Sequence, residues 1–272
     1  MEKTALLSDI HGNAVALQAV LDDVREQGCR RIFVLGDIIN GMDPSRCITI
    51  LKAVENLACI KGNAENYLLT PDLDAFPGRD ETLYRNLLHI LRWWHQRMSQ
   101  TDLDFIHALP DFLHLDGWYM VHDSPLDREA VKQVDLGGMD EKYREILFHG
   151  KGIPKNVPAD ELRQILGFMD EKRVSALFVG HTHDPYIKHV NGKMICNLGS
   201  VGFTLDGDPR PSWVLCEQDE TWQNFTVRRV AYDIDQAVNR LMEVGFWEYD
   251  DGQRLDAYIK MLQTGVHWTA HI

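Results

Sequence analysis

Thr4-Ala5-Leu6-Leu7-Ser8-Asp9-Ile10-His11-Gly12-Asn13 begins as an apolar run and ends with an aspartate and a histidine two positions apart. A short apolar run bounded by polar and glycine signals reads as a buried strand, here residues 4–8. Residues 14–27 follow with Leu17, Val20, Leu21 and Val24 on one face of a helix. Residues 31–35 form the next strand, 45–55 the next helix and 58–61 a third strand. Strand, helix, strand, helix, strand predicts a parallel-type α/β sheet. In such sheets ligands bind beyond the carboxyl ends of the strands, which is where Asp9 and His11 stand.

Outside this unit the rhythm changes. Residues 66–116 read as a helical insertion over the sheet edge, serving either as a packing layer or as a lid. Within it, residues 81–98 carry Leu83, Leu87, Leu91 and Trp94 on one face, and 101–108 form a shorter helix. Further strands are predicted at 118–121, 176–179, 194–196, 213–217 and 225–230, with a helix at 159–172. The last four strands lie close together with turn signals between them, so a second, largely antiparallel sheet is expected. Residues 233–264 read as two C-terminal helices. No repeat or linker divides the chain, so one domain over 1–272 is expected.

With 272 residues, the chain can bury roughly three quarters of its unfolded surface and needs no staples. The formal net charge of -13 argues against a nucleic-acid polymer, whose affinity comes from Lys and Arg displacing counterions. It leaves room for a small anionic substrate, because bound divalent cations reverse the local field. Five cysteines without close pairs point away from a disulfide framework or zinc ribbon. The first residues lack a signal-peptide apolar region, and no apolar run approaches the ~20 residues that span a bilayer. A reducing cytoplasmic setting without a membrane is the expectation.

Five predicted strands end in polar clusters: Asp9 and His11; Gly36 and Asp37; Gly62, Asn63 and Glu65; His122 and Asp123; Gly180, His181 and His183. Singly these have plain readings. Asp9 serves as well as a helix N-cap, Asp37 and Asn63 suit turns, and His122 suits a satisfied core position. The pair His181 and His183 in one extended loop, and the recurrence of the placement five times, favour a shared pocket. Aspartate and histidine together are ligands for divalent transition metals. Three carboxylate or amide groups (Asp9, Asp37, Asn63) and four imidazoles (His11, His122, His181, His183) exceed what one tetrahedral ion takes and suit two ions sharing a carboxylate.

The set Asp9-x-His11, Gly36-Asp37, Gly62-Asn63, His122 and Gly180-His181-x-His183 resembles the calcineurin-like metallophosphoesterase family. Ser8-Asp9-Ile10-His11-Gly12-Asn13 resembles its opening motif. Gly36-Asp37-Ile38 with Gly41, Asp43 and Pro44, and Asn197-Leu198-Gly199-Ser200-Val201-Gly202, resemble a bacterial and archaeal branch of small phosphodiesterase-like proteins, which usually has Pro at the Leu198 position. The resemblance spans roughly residues 4–215. It implies a four-layer α/β/β/α sandwich of two mixed sheets, and two divalent ions (Mn, Fe, Ni, Co or Zn). Asp9, His11, Asp37 and His183 would hold one ion. Asp37, Asn63, His122 and His181 would hold the other, with Asp37 as bridge. Asp37, Asn63 and His122 would form the catalytic centre. Such a pair lowers the pKa of a shared water, whose hydroxide attacks phosphorus in line with the leaving oxygen.

Many family members carry a histidine after the motif's Asn, near the leaving group; here Ala64 stands there. General acid help is worth 10²–10⁴-fold and matters least for weakly basic leaving groups. The expected substrates are therefore small phosphodiesters or nucleotide polyphosphates. Glu65, Asp123, His89 and His95 are the candidate substitute acids. Asp123 replaces the branch's usual Gly, and either orients His122 or narrows the pocket. For the distal part of a substrate the candidates are Arg79, Arg85, Arg128, Lys151, Lys155 and, foremost, Arg210. Trp93-Trp94 suits either a nucleobase or the core. The alternatives are a phosphomonoesterase or protein phosphatase, a nuclease (disfavoured by the acidic balance), and a non-catalytic scaffold (disfavoured by the seven donors all being kept).

Overall fold

The computed structural model describes residues 1–69, 89–90, 92–115, 117–126, 152–250, 252 and 254–266. Strand β1 (Glu2–Leu7) pairs in parallel with β2 (Arg31–Leu35), and β2 with β3 (Leu57–Ile60). The connecting helices are α1 (Ala14–Glu26) and α2 (Pro44–Lys52). Each starts where its sequence dictates. Asn13 Oδ1 caps α1 by accepting from Ala16 N, Asp43 caps α2 by accepting from Arg46 N, and Pro44 sits in the first turn, where no backbone donor is needed. After β3 comes a short helix, α3 (Asn63–Leu69).

Both faces of this sheet are buried, and alternate side chains divide between them. Ala5, Leu7, Ile32 and Val34 face the helices, while Leu6, Phe33 and Leu35 face a second sheet. The second sheet is built from β4 (Phe112–Leu115), β5 (Trp118–Val121), β6 (Ala176–Val179), β7 (Tyr186–Val190) and β8 (Lys193–Asn197) in the order β4-β5-β6-β8-β7. Trp118, Met120, Phe178 and Cys196 meet Leu6, Phe33 and Leu35 across the gap. Helix α5 (Ala159–Glu171) covers its outer face through Ile165, Phe168 and Met169. The layers are helices, sheet, sheet, helix, as expected.

The assignment of strands to sheets differs from the sequence reading. Strands β9 (Ser212–Gln218) and β10 (Gln223–Arg229) join the first sheet, giving β10-β9-β1-β2-β3, with β9 antiparallel to β1. Residues 176–179 and 194–196 lie in the second sheet and pair in parallel. Neighbouring short strands default to hairpins, but the loop from 198 to 211 is long enough to carry the chain from one sheet to the other. Two strands were not foreseen: β7, which forms a hairpin with β8, and β4, which pairs with β5. Because β4 belongs to the sheet, the expected insertion over 66–116 ends before it. Its described helical part comprises the end of α3 (residues 66–69), residues 89–90 and 92–95, and helix α4 (Gln100–Ala108).

The C-terminal helices are α6 (Ile234–Glu243) and α7 (Leu255–Thr264), with a 3-10 turn at Phe246–Asp250 between them. Ala237, Leu241, Phe246 and Leu262 bury them on the outer face of the first sheet. There Arg240 grips Asp43 at 2.7 Å, tying α6 to the loop that follows β2. No helix among the described residues is long and apolar enough to cross a membrane.

Candidate metal centre

The parallel strands of both sheets end at one edge, and all seven expected donors meet there. Asp9 and His11 follow β1, Asp37 follows β2, Asn63 opens α3 after β3, His122 follows β5, and His181 and His183 follow β6. Asp9, His11, Asp37, His181 and His183 all have φ between 46 and 68°. Side chains rarely adopt this left-handed region, and such residues concentrate at functional sites. Glycines allow the close approach: a Cβ on Gly62 would collide with Asp37, and one on Gly180 with Ser8 and Asp9.

Two backbone carbonyls fix the histidine tautomers. His122 Nδ1 lies 2.6 Å from Leu35 O, and His183 Nδ1 contacts Phe203 O. A carbonyl can only accept, so each Nδ1 carries a proton and Nε2 is the ring nitrogen turned into the pocket, free to ligate once any proton on it is displaced. There His122 Nε2 meets Asn63 Oδ1 at 3.0 Å and Asp37 Oδ1 at 3.4 Å. His183 Nε2 meets Asp9 Oδ1 at 3.1 Å and His11 Nε2 at 3.0 Å. His11 Nε2 lies 3.8 Å from Asp37 Oδ2, and His181 Nδ1 lies 2.9 Å from Asn63 Oδ1. Asp9 Oδ1 is buried with no hydrogen bond of its own. So many ring nitrogens and carboxylate or amide oxygens converging at these distances make a donor set suited to a divalent cation. Asp9, His11 and His183 form one candidate triad, and Asp9, Asp37 and His122 a second.

The electrostatics agree. Burial alone would lower His122, but the charges of Asp37 and Asp9 outweigh it and hold the imidazole up at about 10. Burial raises Asp37 and His122 lowers it, leaving it at about 2. Asp9 is depressed well below the usual carboxylate range, against its burial, by His183 and His122. Burial, with the His122 charge, pushes His181 downward. Without a metal, the protonated His122 therefore offsets the charges of Asp37 and Asp9.

Other predicted residues have different duties. Glu65 is fully buried (0 % exposed). Its carboxylate accepts from the amides of Asp37, Ile38, Ile39 and Gly62 at 2.7–3.1 Å. Aimed at backbone donors, it is not placed as a substitute acid. Instead it ties the loop after β2 to the loop after β3. Ala64 donates its N–H to Asp37 Oδ1 at 2.9 Å, and its methyl is packed in the outer core. Asp123 is 1 % exposed, and its charge favours the protonated forms of His122 and His181.

Trp93 and Trp94 are both buried, and Trp94 Nε1 donates to Gly41 O at 2.8 Å, so the pair is core and not a stacking platform. His89, His95 and Lys155 are exposed. Arg210 is gripped by Asp208 at 2.6–3.2 Å, and among the described residues no hydrogen bond or ion pair links it to the cluster. Arg79, Arg85, Arg128 and Lys151 lie outside the described residues.

Sequence reading assigned no role to Asn197, Ser200 or Phe203. Asn197 holds the histidine loop through Gly180 O and Thr182 Oγ1, and Ser200 donates to Asp9 O. Asn197 and Ser200 stood in a quoted motif; Phe203 carried no signal beyond being apolar.

A sequence model of the calcineurin-like phosphoesterase superfamily domain matches residues 3–221. The chain belongs to that superfamily. Membership supports metal-dependent hydrolysis of phosphoesters as its general activity, and the candidate ligands Asp9, His11, Asp37, His122 and His183 accord with it. A Methanocaldococcus jannaschii protein described as uncharacterized is 26% identical over 255 residues, 88% of this phosphoesterase and 91% of that protein. Two crystal structures share the fold. One is a metallophosphoesterase from Sphaerobacter thermophilus, with a TM-score of 0.66 and 23% identity, covering 97% of this chain and 99% of that one. The other is a hypothetical protein from Pyrococcus horikoshii OT3, with a TM-score of 0.72 and 20% identity, covering 98% and 100%.

Proposed function

We propose that this phosphoesterase hydrolyses small phosphodiesters or nucleotide polyphosphates with two divalent ions. The observation that carries the reading is the convergence of four imidazole nitrogens, two carboxylates and the Asn63 amide oxygen on one pocket, with two of the imidazoles oriented by backbone carbonyls. Asp9, His11 and His183, with Asp37 Oδ2, would hold one ion; Asp37 Oδ1, Asn63, His122 and His181 would hold the other. Asp37 reaches both halves, Oδ2 at 3.8 Å from His11 and Oδ1 at 3.4 Å from His122, as a bridging carboxylate would. Asp9 Oδ1 lies near both halves as well, while its Oδ2 accepts from His181 N at 3.0 Å and aligns the second loop. The chemistry supplied by bound divalent ions is a water activated near neutral pH and neutralised phosphoryl oxygens.

The chain's own residues set the rest. The carbonyls of Leu35 and Phe203 aim the imidazoles, and Glu65 aims Asp37. No imidazole stands at position 64 to protonate a departing alkoxide, which favours substrates whose leaving group departs as a weak base. The partner is thus a small phosphorylated molecule, and the free thiols of all five cysteines suit a reducing compartment.

Metal-stripped protein given Mn²⁺, Ni²⁺, Co²⁺ or Zn²⁺ should hydrolyse a nitrophenyl phosphodiester well ahead of the matching monoester. Turnover of the monoester alone would favour a phosphomonoesterase. Absence of turnover with every metal would remove the catalytic reading.

A further inference from the structure

The histidines of one half of the centre are held by a residue that belongs to no ligand motif. The Phe203 ring stacks on His11 with centroids 5.5 Å apart and planes at 27°, and its carbonyl accepts the Nδ1–H of His183. One residue thereby orients both imidazoles whose Nε2 atoms meet at 3.0 Å. Phe203 is itself held from the C-terminus. Tyr258, on α7, packs against it at 5.6 Å. Seven residues on, Gly265 O accepts from Gly207 N at 2.9 Å. Gly265 (φ +65) presses so closely on the loop that a Cβ would come within 2.7 Å of the Asp208 backbone. The loop carrying Phe203 is clamped at two points by one helix, and that helix lies beyond residues 3–221 of the family domain.

The other half is anchored differently. His122 leans on Leu35 O, and Asn63 and His181 lean on one another and on the ends of the sheets. None of the described contacts joins them to α7.

We infer that helix α7 is a brace for the His11–His183 half of the metal centre, with Tyr258 and Gly265 as positioning residues acting through Phe203. Outer contacts that orient a ligating histidine are worth 10–100-fold in metal affinity. Loosening the brace should therefore weaken one ion and spare the other. Only this metal readout rests on the two-ion reading above; the orientation of His183 does not need it.

The test uses the full chain, metal-stripped, as wild type, Tyr258→Leu, Tyr258→Phe and Gly265→Ala. Tyr258 is only half-buried, so Tyr258→Leu leaves the buried core in place while removing the ring contacts with Phe203 and Phe246. Gly265→Ala disturbs the clamp from its far end with the Tyr258 ring intact. Long-range ¹H–¹⁵N spectra, recorded without metal above the ordinary titration range of imidazole, report the His183 tautomer. Wild type and Tyr258→Phe should show Nδ1–H; Tyr258→Leu and Gly265→Ala should gain Nε2–H. In a calorimetric Mn²⁺ titration, wild type should take two ions, and Tyr258→Leu and Gly265→Ala should bind one of them about tenfold or more weakly. An unchanged tautomer in both variants overturns the brace, as does equal weakening of both ions. A loss in Tyr258→Phe overturns the ring contact as its route. Wild type binding fewer than two ions overturns the two-ion reading alone, and the tautomer still decides the brace.

Discussion

Replacing Glu65 by Gln isolates what its buried charge contributes. Oε1 accepts from Ile38 N and Ile39 N at 2.9 and 3.1 Å, and Oε2 from Asp37 N and Gly62 N at 2.9 and 2.7 Å. A glutamine keeps one oxygen. Whichever way its amide turns, an NH₂ faces two N–H donors, so two bonds to a charged acceptor are lost and two buried amides are orphaned. Burial and the Asp37 charge push the Glu65 carboxyl upward; four donors with no acceptor around it still demand the ionised form. Each lost bond is worth about 1.5–3 kcal/mol, so Glu65→Gln should cost about 3–6 kcal/mol, a large share of the 5–15 kcal/mol typical of a whole domain. Urea unfolding of the metal-free protein reads this as a lower midpoint at an unchanged slope. Because the same bonds aim Asp37 and the start of α3, Mn²⁺ affinity should fall as well. A loss below about 1 kcal/mol would refute the account of Glu65 as the tie between the two loops.

In the metal-free protein, Asp37 near 2 lies below its unfolded value and His122 near 10 lies above its own. The contribution of their pairing is present between about pH 4 and 6.5; it fades through Asp37 on acidification and through His122 as pH rises toward 10. Thermal melts should show this alkaline decline without metal and lose most of it with Mn²⁺ bound; a flat alkaline limb without metal would count against the charge assignment. Mn²⁺ binding at pH 8 should release at least one proton per protein, His122 being protonated until the metal replaces the proton; calorimetry in two buffers of different ionisation heat would expose a release of zero. His181→Gly, at φ 68°, removes about 1–2 kcal/mol of left-handed strain: the metal-free unfolding midpoint should hold or rise while Mn²⁺ affinity drops, and a falling midpoint would show that strain there is minor. Ala64→His overpacks a position with 0 % exposure, so it should cost about 1–3 kcal/mol without improving turnover of alkyl phosphomonoesters; a gain in that turnover would show that the position faces the pocket.

How much of this could be read from the sequence varies with the kind of information. The convergence of the seven expected ligand residues was legible because each follows an apolar run, and strand ends in an α/β sheet converge whatever the rest of the chain does. Sheet membership was less so. Residues 213–217 and 225–230 look the same whether they pair with β8 or cross to β1, and only the length of the loop before them hints at the crossing. The Tyr186–Val190 strand was missed because its half-buried Lys188 and exposed His189 dilute the apolar signal. Supports were the least legible class. Glu65 acts through backbone amides, which every residue has, and Phe203 acts through its own carbonyl and an aromatic face. Neither action leaves a mark in residue type.

The same distinction explains why the centre is built from strained loops. Five candidate ligands in left-handed conformation, with two carboxylates buried beside one another, disfavour the metal-free fold. The opposing contributions all come from outside the donor set: Glu65 under Asp37, the Asn197 side chain behind Gly180, the Phe203 carbonyl behind His183, and Asp43 fixed by Arg240. Two of these four chains of contact end on C-terminal helices that follow the family domain. Exchanging a donor should therefore remove metal binding while leaving the fold as stable or more so. Exchanging a support should lower stability and metal affinity together, and the two classes separate on a plot of one against the other.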